Sequence, residues 1–340
     1  MATTQPADLS LLAAARAGDG RAFDLLVEPH RRELHAHCYR MLASLHDAED
    51  ALQETMLRAW RGLARFEGRS SLRTWLYAIA TNACIRAVER RPPRTLPLDA
   101  SAPATIGEVP GRPLVESVWI EPYADERLGP DAVYEQREAV ELAFVAALHH
   151  LASLQRAVLL LRQVVGLSAS ETATALETSV AGVNSALQRA RKVIDERAPA
   201  QSQQATLRTL GDETRKDLVE RYMQAMEAAD VDAVIELLVD GATWSMPPLS
   251  TWYSGLDAIK VFLEEHPLRQ QWRHVPTAAN SQPAVLCYLW DDEAAAFTPH
   301  ALDVLTLAGP RIAAVDAFLG HKVLDEFRAS AGSLPAEITT

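Results

Sequence analysis

Cysteine is scarce in this chain: Cys38, Cys84 and Cys287 are odd in number, far apart and without CxxC spacing. That pattern excludes a disulfide scaffold and a metal knuckle, and it fits reduced, buried thiols. Long apolar runs are missing as well. The most apolar stretch, AVLLLRQVVGL, is interrupted by Arg162 and Gln163 and falls well short of the ~20 residues a membrane span needs. The opening residues MATTQPADLS have neither a basic flank nor an apolar core, so no export signal is expected. No membrane is expected as a partner, and the expected location is cytoplasmic. Internal repeats and low-complexity tracts are absent. With 48% apolar and 23% charged residues, intrinsic disorder is excluded, and 340 residues predict two or three domains.

A basic excess is also lacking, since 33 Lys and Arg stand against 45 Asp and Glu for a net charge of -12. The imbalance is local. Residues 1–198 are nearly neutral, and residues 199–340 carry 10 basic against 20 acidic side chains. Between Arg58 and Arg94, nine arginines face only Glu67 and Glu89, a patch suited to phosphates. The next stretch, Thr95 to Glu141, is acidic and punctuated by Pro97, Pro103, Pro110, Pro113, Pro122 and Pro130, which reads as a linker.

From Leu9 to Arg91 apolar residues recur at helical spacing, as in Leu34, Cys38, Met41, Leu42 and Leu45, and Pro92-Pro93 closes the last helix. A second helical block spans about 132–197. After a Gln- and Ala-rich linker, helices at about Glu213–Ala228 and Asp232–Val239 precede the β-type segments ATWSM, QWRHVPT, AVLCYLW, ALDVLTLA and RIAAVDAFL. The expected architecture is multidomain: two all-α domains, 9–93 and 132–197, joined by the linker 94–131, then a linker 198–211 and an α+β domain 212–330.

The second block has the pattern of a helix-turn-helix. Its first helix packs Val158, Leu161 and Val165 and stops at Gly166, a residue suited to a left-handed C-cap. Ser168 and Glu171 have capping-box spacing at the start of a short helix to about Leu176. A third helix, N-capped by Thr178 or Ser179, turns Val180, Val183, Leu187, Ala190 and Ile194 inward. Its outer face carries Asn184, Ser185, Gln188, Arg189, Arg191 and Lys192, groups able to bond base edges and phosphates.

The segment DAEDALQETMLRAWRGLARFEGRSSLRTWLYAIATNAC resembles region 2 of extracytoplasmic-function sigma factors of the sigma-70 superfamily, and the helix-turn-helix block resembles their region 4. The resemblance implies core RNA polymerase and promoter DNA as partners and no catalytic activity or cofactor. Polymerase docking then falls to the helix Asp47–Trp60, with Asp50, Gln53, Glu54 and Asp47 near one face. Minus-ten recognition falls to Phe66, Arg69, Ser70, Ser71, Arg73 and Asn82, because a base flipped from the duplex needs aromatic and polar groups to receive it. Arg86, Arg90 and Arg91 would hold backbone phosphates. Minus-thirty-five recognition falls to the third helix: Thr178, Ser179, Asn184, Ser185, Gln188, Arg189, Arg191 and Lys192. Two positions depart from the family pattern. The stretch Leu151 to Leu154 lacks a proline, and Glu177 stands where glycine is common.

The segments ATWSMPPLSTWYSGLDAIKVFL, RHVPTAANSQPAV and PHALDVLTLAGPRIAAVDAFL resemble SnoaL-like polyketide cyclase domains, which fold a sheet and helices into a cone. The resemblance implies a domain that regulates the sigma portion in cis. VWIEPYADE, with Trp119, Glu121, Pro122 and Tyr123, resembles a subgroup signature and would pack on this extension. Trp244, Trp252, His300 and Asp303 would line a pocket for a small apolar ligand, and Asp303 and Asp316 each sit opposite their apolar strand neighbours. His35 and Cys38 are spaced to share a metal, but a zinc site needs about four ligands, so no metal is expected and a core Cys beside surface histidines is.

Overall fold

The computed structural model describes residues 6–90, 94–113, 118–129, 134–199, 201–320 and 324–327. Arg91, Pro92-Pro93, Pro130 and the expected domain end at residue 330 lie outside the described residues. The chain divides into two compact units, one of residues 1–93, 127–131 and 143–198, the other of residues 94–126, 132–142 and 199–340. The acidic, proline-punctuated segment therefore belongs to the second unit except for residues 127–131.

The helical unit begins with α1 (Pro6–Arg16), α2 (Gly20–Val27), α3 (Arg31–Leu42), α4 (Leu45–Gly62) and α5 (Leu72–Val88). Caps set the boundaries. Asp19 and Ser44 accept backbone N–H bonds at the starts of α2 and α4, and Ala43 ends α3 in the left-handed region at φ 51°. Leu34, Cys38, Tyr39, Met41, Ala48, Ala59, Leu76 and Cys84 form the buried seam of α3, α4 and α5. His35 and His37 are buried in it rather than on the surface. His37 Nε2 lies 2.9 Å from Thr81 Oγ1, and burial pushes its pKa down to about 3, so the ring is neutral.

The same unit continues with α6 (Leu142–His149), α7 (Ser153–Leu159) running into a π-helical turn (Leu160–Val164), α8 (Ala169–Ala175) and α9 (Val180–Arg197). Arg156 of α7 is the largest fully buried side chain among the described residues. Its guanidinium donates to Leu148 O at 3.0 Å, Met41 O at 2.5 Å and Leu151 O at 3.3 Å, tying the C-terminal turns of α3 and α6 to α7. Burial pulls its pKa down to about 10, and the group stays charged at neutral pH.

In the second unit α10 (Gln203–Leu210), α11 (Asp212–Glu227) and α12 (Val231–Leu237) precede β1 (Leu238–Ser245), β2 (Trp252–Ser254), α13 (Leu256–Glu265), β3 (Trp272–Ala279), β4 (Gln282–Asp291), β5 (Ala296–Ala308) and β6 (Arg311–Leu319). The strand order is β2-β1-β6-β5-β4-β3, and β1 runs parallel to β6 while the other pairs are antiparallel. Register shifts between Cys287 and Tyr288 and between Thr306 and Leu307 mark bulges, which bend a sheet. Val285, Cys287, Ala301, Leu305, Val315 and Ala317 share one core with Tyr222, Met226, Phe262 and Leu263 of α11 and α13. Among the described residues no helix is long and apolar enough to cross a membrane.

Replacing Arg156 by Met keeps most of the volume and removes the guanidinium donor from Met41 O and Leu151 O, each loss costing ~1–3 kcal/mol, while Leu148 O keeps its bond from Leu151 N. We expect urea unfolding of the full chain, followed by far-ultraviolet circular dichroism, to show the helical transition lowered by about 3 kcal/mol or more.

Candidate functional site

In α4, Asp50 and Gln53 are exposed and Glu54 is half-buried and ion-paired with Arg58. Asp47 does not share that surface. It is buried, and its backbone N–H donates to the Ser44 cap at 3.3 Å. One turn further along, Leu57 and Trp60 are exposed large apolar residues, and the edge of Phe23 packs on Trp60. Sequence reading missed both, although the i, i+3 and i, i+7 steps from Asp50 through Gln53 to Leu57 and Trp60 carry the signal.

The arginine patch forms one wall of a groove of about 860 Å³ within the helical unit. Arg58, Arg65, Arg69 and Arg86 line it, with Ser170, Thr174 and Glu177 opposite. Arg69 and Arg86 are exposed, as is Arg90 nearby. Several expected contact residues have local partners. Phe66 is buried against Trp75 with ring centroids 4.9 Å apart, and its carbonyl accepts from Arg16. Ser71 N-caps α5 by accepting from Thr74 N at 3.0 Å. Arg73 pairs with Glu33 at 2.8 Å, lies 4.8 Å from the centre of the Tyr77 ring and donates to Val165 O at 3.2 Å. Phe66, Ser71 and Arg73 thus each make local contacts within the helical unit. Asn82 Nδ2 donates to Ala175 O at 3.0 Å and so touches the end of α8.

The helix-turn-helix is built from local chemistry. Gly166 takes φ 82° after the π-turn, and Ser168 and Glu171 form a reciprocal capping box at α8. Ser179 caps α9 through Gly182 N at 3.0 Å, leaving Thr178 exposed outside it. Asn184, Ser185, Gln188, Arg189, Arg191 and Lys192 are all exposed, while Val183, Leu187 and Ala190 are buried. Val180 does not join that inner stripe: it is 44% exposed, at the first position of α9. Glu177 has φ 50°, a left-handed conformation that costs a side-chain-bearing residue roughly 1–2 kcal/mol. The variant Glu177→Gly is expected to raise stability by up to about 1 kcal/mol in thermal unfolding.

In the second unit the segment around Trp119 to Asp125 is docked on the β3–β4 turn. Trp119 and Tyr123 are buried, and Arg94 donates to Trp119 O at 2.8 Å and lies 3.6 Å from Glu121. Asn280 and Ser281 form the turn in left-handed conformation at φ 54° and φ 56°. Tyr123 N donates to Asn280 Oδ1 at 2.9 Å, Asn280 N returns a bond to Tyr123 O at 2.8 Å, and Asn280 Nδ2 donates to Val140 O at 2.7 Å. Ser281 N donates to Asp125 Oδ1 at 2.7 Å, and Leu142 N to Gln282 Oε1 at 2.9 Å. Glu141 accepts from Gln203 N at 2.9 Å and Gln204 N at 2.7 Å, capping α10. Upstream, residues 101–111 run along β2: Ala104 N donates to Trp252 O, Trp252 Nε1 to Ser101 O, Tyr253 Oη to Glu108 O and Gly111 N to Thr251 Oγ1.

A cavity of about 390 Å³ opens on the face of the sheet that carries Asp303 and Ala317. Trp244, His300 and Asp303 line it as expected from the sequence, but Trp252 does not. The alternation of β2 buries Tyr253 and turns the Trp252 indole toward Ser101. At the floor Tyr222 Oη donates to Asp303 Oδ2 at 2.7 Å, and burial raises the pKa of that carboxyl. His274 is buried beside it. Asp316 faces away from the cavity and accepts from Ser245 Oγ at 2.6 Å, and its burial pushes its pKa up to about 6. Cys38, Cys84 and Cys287 are all buried, and no cluster of metal-ligating side chains occurs among the described residues.

Because folding favours the protonated form of Asp316, its contribution to stability is complete below about pH 4 and is lost as pH rises to about 6. The variant Asp316→Asn keeps the Ser245 bond without the charge, so its stability should fall less over that interval, by about 3 kcal/mol. Denaturant midpoints at pH 4 and pH 7 check this.

Two helical modules, one basic groove and an exposed polar recognition helix define a DNA-directed regulator with a third, cavity-bearing module. Residues 26–92 match sigma-70 region 2, residues 141–194 sigma-70 region 4 and residues 219–315 a SnoaL-like domain. The chain is 42% identical over 320 residues to the ECF RNA polymerase sigma factor SigG of Mycobacterium tuberculosis, covering 92% of this chain and 84% of that protein. RNA polymerase sigma-H factor of Pseudomonas aeruginosa is 32% identical over 195 residues, which is 56% of this chain and 94% of that one. The crystal structure of M. tuberculosis extracytoplasmic function sigma factor SigJ superposes with a TM-score of 0.55 at 19% identity over 87% of this chain and 95% of that one, a likeness of fold. The chain belongs to the extracytoplasmic-function sigma factors, which are non-enzymatic transcription factors.

Proposed function

We propose that the chain is a promoter-specificity subunit acting in the cytoplasm, with core RNA polymerase and promoter DNA as partners and its SnoaL-like unit as a control element in cis. The observation that carries the DNA reading is the exposed face of α9, where Asn184, Ser185, Gln188 and Arg189 stand free of the core while Val183, Leu187 and Ala190 hold the helix in place. An N-terminal helix half of this composition reads base edges in the major groove. Thr178, Ser179, Arg191 and Lys192 flank it as phosphate contacts. Asp50, Gln53, Leu57 and Trp60 form a mixed acidic and apolar stripe suited to a polymerase helix, and Glu54 steadies it through Arg58. Arg69, Ser70, Asn82, Arg86 and Arg90 approach the melted minus-ten strand, with Phe66, Ser71 and Arg73 fixing the loop and helix that present them.

Control in cis is supported by the docking of Trp119, Glu121, Pro122 and Tyr123 in the second unit. The bonds from Asn280 to Tyr123 and Val140 clamp chain that lies on both sides of residues 127–131. Holding these points restricts how the two DNA-reading modules can be separated.

The test is promoter-dependent transcription by core polymerase with the full chain. Arg189→Ala is expected to lower promoter-specific transcript about tenfold, in line with ~1–3 kcal/mol per base-reading pair, while pull-down of core polymerase stays unchanged. Asn280→Ala is expected to change transcript yield at unchanged polymerase binding. Absence of polymerase binding by the wild-type chain would sink the whole reading, and an unchanged yield in Asn280→Ala would sink control through the docked segment.

A further inference from the structure

The cavity of the second unit holds a polar group whose bonding is left open. His274 is 7% exposed and lines the cavity, yet neither ring nitrogen makes a hydrogen bond. Nδ1 lies 3.4 Å from Glu227 Oε1, and the tautomer that turns its N–H toward this carboxylate presents Nε2 as an acceptor. A buried acceptor without a donor destabilises the empty cavity, and a ligand hydroxyl would relieve that cost. The walls are aromatic. Trp272 stacks over His274 with centroids 6.2 Å apart, and Trp244 and Phe262 meet at 6.0 Å. Arg269 and Glu265 line it with opposite charges, and the floor carboxyl of Asp303 disfavours an anion. A volume of about 390 Å³ admits a molecule of two or three rings.

One wall comes from upstream in the chain. Pro110 lines the cavity, and it belongs to the strap 101–111 that runs along β2. The cavity also reaches the strap through rings: Phe262 stacks on Tyr253 at 4.6 Å, and the Tyr253 hydroxyl donates to Glu108 O at 2.7 Å. A molecule seated against Phe262 and Pro110 therefore touches two points that fix the strap.

We propose that this cavity binds an uncharged, planar ring compound whose hydroxyl donates to His274 Nε2, and that the strap 101–111 is its closing wall, so that filling the cavity and seating the strap are coupled. The proposal rests on the reading that the second unit controls the helical unit, and it supplies the input to that control. Reciprocity follows: whatever factor the compound adds to strap seating, strap seating adds to its affinity.

The test is calorimetric titration of the full chain at pH 7 with 2-naphthol, naphthalene and 2-naphthoate. We expect 2-naphthol to bind about tenfold more tightly than either of the others. His274→Phe should abolish that preference while leaving naphthalene affinity unchanged. Tyr253→Phe keeps the ring stack, removes the bond to Glu108 and should shift 2-naphthol affinity severalfold. Saturating 2-naphthol should alter amide hydrogen exchange across 101–111. No binding of 2-naphthol up to its solubility limit, or equal affinity for naphthalene, would overturn the site, and unchanged exchange across 101–111 at saturation would overturn the coupling. None of these readouts uses polymerase, so a failure of control in cis would appear in transcription alone and leave the binding result standing.

Discussion

A cation buried without a carboxylate is the constraint on which the helical unit depends. Arg156 has surrendered its hydration, and its compensation is a ring of backbone carbonyls at the ends of α3 and α6. Helix C-termini concentrate unpaired carbonyls and partial negative charge, so two of them converging on one guanidinium answer both needs at once. The geometry is demanding. If α3 or α6 shifted by a few ångströms, a donor and an acceptor would be stranded together, which makes the packing of the two helical modules a discrete state.

The basic groove follows from that frame. With α3 held, Glu33 can gather Arg73 and Tyr77 and turn one arginine into a brace. Arg86 and Arg90 lie outside that network and are exposed, and exposed Arg69 pairs with Glu67 instead. The brace is centred on one half-buried glutamate, Glu33, whose pKa is held below the usual carboxylate range by its His30 and Arg73 bonds despite its partial burial.

Where structure arises from neighbours in sequence, the amino-acid string was readable. The capping box of Ser168 and Glu171, the Gly166 stop, the polar face of α9 and five of the six strands rest on spacing of a few residues. Val180 misled because helical periodicity says which residues share a face and not which of them are covered. β2 was missed because its three residues, Trp252–Ser254, are too few to show alternation. The deeper omissions share a different cause. Arg156, Asn280, Gln282 and His274 act on partners from 23 to 140 residues distant, and nothing in a polar side chain seen alone says that it will be buried. Asp47 shows the converse, an acid on a charged helix that ends up inside.

The distribution of chain between the two units bears on how such a protein could arise. A module fused to the end of an older protein can ordinarily be exchanged at the seam, as a carriage is uncoupled from a train. Here the seam at residue 198 does not separate the parts, because residues 94–126 and 132–142 lie upstream of the recognition helix and yet belong to the second unit. Inheritance of the third module thus requires matched inheritance of the stretch between the first two. A recombination joining halves from different ancestors at residue 198 would give a chain whose Tyr123 and Val140 meet a turn shaped for another partner.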